Sequence, residues 1–246
     1  GRFNDVDATT ATIRATDDLA AVLVEPMMGS GGCIPATAEF LEALRAATSA
    51  HGAVLVFDEV MTSRVAPGGA QELYGVLPDL TTLGKYVGGG MSFGAFGGTT
   101  ALMDQFDPTL PGALAHAGTF NNNVLTMAAG SAALSEVFTP DAARALGVRG
   151  DHVRDTLNAR FSELGADWQC TGLGSIMNLH PSRATVRHPG DLAAADDRRR
   201  ELLFLDLLEA GYYIARRGFI ALSLALSDDD LDGFVAAVTQ AVTRRG

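Results

Sequence analysis

Two short apolar runs, residues 19–25 (LAAVLVE) and 53–57 (AVLVF), stand on either side of a segment whose apolar residues Phe40, Leu41, Leu44 and Ala47 fall at helical spacing. A strand that is apolar along its whole length reads as buried on both faces, the condition of a parallel sheet covered by helices. Two parallel strands cannot be joined by a tight turn, and a helix of about a dozen residues is the usual crossover. The order therefore predicts a βαβ unit within an α/β fold with a mostly parallel sheet. Residues 80–83 and 94–99 read as a third and a fourth strand, separated by a glycine-rich turn.

From Asn123 the pattern changes. Residues 124–138 are alanine-rich and helical, and 141–164 continue in helical register. Residues 168–171 and 175–180 read as strands, followed by a loop containing Pro181 and Pro189. A helix over 192–209 leads to two further strand candidates, 212–215 and 219–224. The last helix starts after Ser227, a predicted N-cap, with Asp228, Asp229 and Asp230 in its first turn. Acids there suit the helix dipole, and no metal site is needed to account for them. The sequence divides near residue 145 into an α/β part and a smaller α+β part.

A length of 246 residues suggests one large domain, or one and a half. Eighteen basic residues face 29 acidic ones, a net charge of −11, which argues against a nucleic-acid backbone or an anionic membrane surface as partner. Cys33 and Cys170 stand far apart without CxxC or Cys/His spacing. Neither a zinc site nor a disulfide framework is expected, and a cytoplasmic location is. No apolar run is long enough to span a bilayer, and no signal-peptide pattern opens the chain. The first residues, Gly1 to Asp5, read like the interior of a longer protein.

Among the basic residues only Lys85 is a lysine, so chemistry that needs an amine side chain has one candidate. Lys85 follows the third strand and precedes the glycine-rich segment 88–94. Glycine lets backbone approach a bulky ligand closely, and a desolvated lysine beside it can serve as a Schiff-base nucleophile. Asp58 closes the second strand. Ligands of open α/β sheets bind beyond the carboxyl ends of strands, where a carboxylate calls for a positive partner. Gly118, Thr119 and the asparagines 121–123 precede the alanine-rich helix, an arrangement that either cradles a phosphate or caps the helix. No Walker or Rossmann glycine motif is present. The histidines are scattered, and His116, the one near these residues, reads as structural.

A strand-end carboxylate, a lysine 27 residues further on and a hydroxyl ahead of a helix are together what pyridoxal 5'-phosphate needs. Segments 24–26 (VEP), 57–62 (FDEVMT) and 79–85 (DLTTLGK), followed by GGGMSFGAFGG and AGTFNNNVLTMAAG, resemble class III aminotransferases. More narrowly they resemble the glutamate-1-semialdehyde aminomutase subgroup and its β-amino-acid aminotransferases. The resemblance covers essentially the whole chain. It implies a pyridoxal-phosphate-dependent transferase of fold type I. Residues 1–145 would form the latter part of the cofactor-binding large domain, and 146–246 the small C-terminal domain. Lys85 would hold the cofactor as an aldimine and then move a proton between substrate and cofactor. Asp58 would keep the ring nitrogen protonated, and Val60 would pack on one ring face. Thr119, with Gly118 beside it, would meet the cofactor phosphate, usually from the neighbouring subunit of a homodimer.

Segment 211–219 (GYYIARRGF) resembles the β-amino-acid branch, which carries Arg-Gly-Phe here. Arg217 would then hold a substrate carboxylate; a salt bridge to a nearby acid is its alternative role, and Arg216 is the neighbour most easily confused with it. The implied reaction moves an amino group from a small amino acid, preferentially a β-amino acid, to a 2-oxo acid. An aminomutase acting within one substrate, and an inactive fragment or non-catalytic homologue, are the alternatives. The family's N-terminal portion, with its phosphate loop and stacking aromatic, is expected to lie outside this sequence.

Overall fold

The structure, a computed structural model, describes residues 1–245. Its contacts divide the chain into two units, one of Gly1–Pro26 with Thr37–Asp141, the other of Met27–Ala36 with everything from Ala142 onward. Helix α1 (Val6–Ala15) is capped by the Asp5 carboxylate, which accepts from the Ala8 amide at 3.0 Å. Strand β1 (Ala21–Val24) follows, then the short antiparallel pair β2 (Met27–Met28) and β3 (Ile34–Pro35). Helix α2 (Ala38–His51) starts at Thr37, whose hydroxyl accepts from the Phe40 amide at 3.1 Å, and stops at Gly52, which takes the left-handed conformation that ends a helix. Strand β4 (Val54–Asp58), helix α3 (Gly69–Tyr74), strands β5 (Leu80–Gly84) and β6 (Gly94–Gly98) and helix α4 (Thr100–Met103) come next. Helix α5 (Val124–Ala132) runs on into a π-helical turn, Ala133–Val137.

The first unit's sheet has the order β1-β4-β5-β6, parallel except for β6. Val24 lies opposite Phe57 and Asp58 opposite Thr82, so the parallel strands end close together. Phe40, Leu41 and Leu44 of α2 are buried with Leu55 and Phe57 of β4, each such side chain contributing about 1.5–3 kcal/mol by leaving water. Burial on both faces, expected from the apolar runs, is not what is found. Val54 and Val56 are partly exposed, and Leu23 on the edge strand is 66% exposed, because the described residues cover this sheet fully on one face only.

The second unit is built on α6 (Pro140–Glu163), β7 (Gln169–Leu173), β8 (Ile176–His180), α7 (Asp197–Glu209), β9 (Phe219–Ala221) and α8 (Asp228–Arg245). Its three strands form an antiparallel sheet in the order β7-β8-β9. Leu146, Val153, Leu157 and Phe161 share a face of α6 and are buried in a core with Ile176, Met177, Leu179, Leu203 and Leu207. A side chain at Gly150 would start 2.1 Å from the Gly174 carbonyl, so the helix rests directly on the β7–β8 turn. His180 is wholly buried, its Nε2 2.9 Å from both the Gly32 carbonyl and the Thr171 hydroxyl. Burial pushes its pKa down to about 4.

Several elements differ from the sequence expectation for local reasons. The helix expected from residue 192 begins at Asp197, because the Asp196 carboxylate caps it at the Arg198 amide (3.0 Å). Residues 212–215 are not a strand; Ala215 instead bonds Phe219 across a tight turn, and the following strand shrinks to Phe219–Ala221. The 124–138 helix changes to π geometry at Ala133. The grouping of Met27–Ala36 with the second unit has no counterpart in the sequence reading.

Candidate active site

Strands β4 and β5 bring two of the expected residues to one end of the sheet. Asp58, the last residue of β4, accepts from the Val60 amide (3.0 Å) and from the Thr82 hydroxyl (3.1 Å) of its parallel-register partner. Both donors meet Oδ1, and among the described residues none meets Oδ2. The neighbouring acid is used differently. Glu59 is fully buried and accepts from the Thr62 hydroxyl (2.8 Å) and the Ala70 (2.7 Å) and Gln71 (2.8 Å) amides at the start of α3. Successive side chains on an extended segment point to opposite faces, so one carboxylate becomes a structural clamp and the other stays available. Glu59 has no role in the sequence expectation; a side chain at Gly69 would start 2.5 Å from its Oε2, so the clamp needs glycine there.

Lys85 follows β5 with φ at +54°, a left-handed conformation that costs a side-chain-bearing residue about 1–3 kcal/mol and persists only where its flanks impose it. The flanks do so. Gly84 pairs with Gly94, and the Tyr86 hydroxyl donates to the Ser63 carbonyl at 3.1 Å. The Tyr86 ring meets Phe138 edge-on at 5.0 Å, with the Arg64 guanidinium 5.8 Å over the same phenylalanine. Burial raises the Tyr86 pKa and lowers that of Arg64. Lys85 itself is exposed and, among the described residues, paired with no acid. Val60 lies beside Gly84, its Cγ1 3.4 Å from where a side chain there would begin, so Asp58, Val60 and Lys85 converge.

One glycine of the loop after Lys85 and one glycine of α5 meet at close range, while Gly90 and Gly94 have open space beside them. A side chain at Gly89 would start 2.3 Å from the Ala129 carbonyl, and one at Gly130 would start 2.4 Å from the Val87 carbonyl. They let the Lys85 loop press backbone to backbone against α5. That close packing requires glycine at both positions.

Thr119 and Gly118 sit in an exposed turn, where the Gly118 carbonyl accepts from the Asn121 amide at 3.0 Å. The cap of α5 is Asn123, whose side chain accepts from the Leu125 (3.1 Å) and Thr126 (3.2 Å) amides. Thr119 lies four residues ahead of that cap and, among the described residues, bonds neither Asp58 nor Lys85 of its own chain, so the capping role belongs to Asn123. His116 packs edge-on to Phe96 (5.4 Å) and Phe106 (6.1 Å). In the second unit, Arg217 occupies the turn closed by the Gly218 amide on the Ala215 carbonyl (2.8 Å). Its guanidinium lies 5.0 Å over Phe219, while that of Arg216 lies 5.6 Å over Phe204. Among the described residues no acid pairs with Arg217, so its salt-bridge alternative is not formed.

The family described as "Aminotransferase class-III" matches residues 4–242. This chain belongs to the class III aminotransferases. It is 54% identical over 237 residues to the β-phenylalanine transaminase of Variovorax paradoxus, a match covering 96% of this chain and 54% of the relative. A solved β-phenylalanine aminotransferase from the same organism superposes with a TM-score of 0.97 at 53% identity, over 99% of this chain and 57% of that one. The glutamate-1-semialdehyde 2,1-aminomutase 2 of Brevibacillus brevis is 39% identical, over 98% of this chain and 57% of its own length. A solved transaminase with PLP bound has a TM-score of 0.87 at 33% identity, covering 99% of this chain and 57% of that chain. The chain spans about half the length of the curated relatives it matches.

The fold is that of the fold type I aminotransferases, and pyridoxal phosphate is the cofactor this family implies. The residues at the end of β4 and β5 fit it. Asp58 Oδ2, which meets no donor among the described residues, suits a protonated ring nitrogen, and the exposed Lys85 amine suits the cofactor aldehyde. No helix among the described residues is long and apolar enough to cross a membrane.

Proposed function

We propose that this chain forms the lysine-bearing part of an aminotransferase that takes an amino group from a β-amino acid and gives it to a 2-oxo acid. Residues 1–145 would belong to the large cofactor-binding domain and 146–246 to the small one. The observation that carries this reading is the pairing, at one sheet end, of a carboxylate with a vacant oxygen and an exposed lysine held in a strained backbone. When bound, pyridoxal phosphate supplies an aldehyde that takes up amines and a ring that accepts electrons. Lys85 Nζ would hold that group and would serve as the base for the proton on the amine-bearing carbon of the substrate. Asp58 Oδ2 would accept from the ring N–H and keep the proton there, and Val60 would cover one ring face.

Arg217, over the Phe219 ring and without an acid partner among the described residues, is suited to the carboxylate of an external substrate. The Arg-Gly-Phe of residues 217–219, shared in resemblance with the β-amino-acid branch, favours transamination over an aminomutase reaction. Thr119 faces outward beside the exposed Phe120, Val124 and Leu125, which fits a loop that reaches the phosphate site of a second protomer in a homodimer. Cys33 and Cys170, both buried and not joined in a disulfide, are in keeping with a reducing cytoplasm. Borohydride treatment of the holoenzyme should fix the cofactor on the peptide containing Lys85. A β-amino acid alone should convert it to the pyridoxamine form, and light scattering should give a dimer. Recovery of the label elsewhere, or no conversion by β-amino acids, would remove the reading.

A further inference from the structure

The turn that carries Arg217 is held from three sides. The Gly218 amide closes it on Ala215, and the Gly218 carbonyl accepts from the Leu179 amide at 3.0 Å, seating the turn on β8. Gly218 has φ at +83°, and a side chain there would start 2.5 Å from the Leu179 carbonyl, so the seat accepts glycine alone. The third hold is Arg200, in the first turn of α7 and only 16% exposed. Its Nη2 pairs with Asp197, and its Nη1 donates to the Arg217 carbonyl at 3.3 Å. A guanidinium has five donors in a fixed fork and can tie a helix start to a turn; an ammonium on a flexible stem cannot span both in the same way.

We propose that Arg200 is a positioning residue for Arg217 and thereby a determinant of preference for substrates bearing a carboxylate. It holds the backbone of the turn so that the Arg217 guanidinium stays over Phe219, where it is available to a planar anion. The adjacent Arg216 is led away onto Phe204. This proposal rests on the reading of Arg217 as the carboxylate-binding residue.

The test uses the holoenzyme with 3-phenylpropanoate, a carboxylate without an amine, titrated by calorimetry. KM and kcat are measured in parallel for β-phenylalanine and for phenylethylamine, which has no carboxylate. Arg200→Ala should weaken 3-phenylpropanoate roughly 10-fold and raise KM for β-phenylalanine by a similar factor, with kcat and the phenylethylamine constants within about 2-fold. Arg200→Lys keeps the charge but not the double tether and should resemble Arg200→Ala. Full rescue by lysine, or equal losses on both amines, would overturn the positioning role. Arg217→Ala separates the two readings. If it weakens the carboxylate and Arg200→Ala does not, only the present proposal fails; if it weakens nothing, the carboxylate assignment fails and this proposal with it.

Discussion

The end of the β4–β5 pair and the loop ahead of α5 lie in the same unit and are held in opposite ways. Asp58 and Lys85 are fixed by strand register, by the Glu59 clamp behind one and the Tyr86 anchor beside the other. Thr119 stands in an exposed turn beside Phe120, itself 83% exposed. A residue that must present a charge or an amine to a reacting atom gains from a rigid support within its own chain. A residue that meets its target only across an interface is better left outward-facing. The second unit repeats the contrast: His180 is locked in the core, and Arg217 lies on the surface of a turn.

The contrast is tested most severely at Lys85. Lys85→Ala should lower kcat about 10³-fold or more, with melting temperature little changed; initial rates and calorimetry measure both, and retained turnover would break the assignment. Asp58→Asn is expected to cost roughly 10²-fold in kcat/KM, because the amide no longer stabilises a proton on the ring nitrogen. Thr82→Val, which removes one of the two donors on Oδ1, should cost less than Asp58→Asn.

In the second unit the locked residue should show itself through pH. His180 takes up its proton at about 4 in the folded state and near 6.5 when unfolded. Between those values the unfolded chain binds more protons, so His180 stabilises the fold above 6.5 and this contribution is lost as pH falls toward 4. Urea titrations should place its contribution about 2 kcal/mol lower at pH 5 than at pH 7, a difference that His180→Gln removes. The smallest effect on stability belongs to the presented residue. Thr119→Ala should change unfolding free energy by less than about 0.5 kcal/mol, yet weaken cofactor binding several-fold in the dimer. A larger loss of stability would show that Thr119 is held by the fold after all.

What could be read from the sequence was chiefly what chain order encodes. Asp58 and Lys85 were legible because each closes a strand, and the carboxyl ends of strands are where such sheets bind ligands. Glu59 was not, since its partners are the backbone amides of Ala70 and Gln71, which no residue type advertises. The glycines of 88–94 read from sequence as room for a ligand, and only the folded chain shows that Gly89 among them also packs on the backbone beside Gly130. Residues 212–215 have the β-branched and aromatic character of a strand, but the turn at Ala215–Gly218 takes the backbone partners a strand would need. Thr119 looked like a cap because helix starts are blurred in sequence, and three asparagines compete for that position.

The seam between Gly89 and Gly130 also bears on how this chain can be changed. Two carbonyl groups occupy the volume where side chains would begin, so neither position can accept diversity in a mutant library, whatever residue is offered. Because the lysine-bearing loop is fastened there, altered reactivity toward new amines has to be sought by varying side chains elsewhere, with Phe219, Arg216 and the Phe120 loop as open choices. A screen that spends codons on the seam would return unfolded protein, and its failures would say nothing about chemistry.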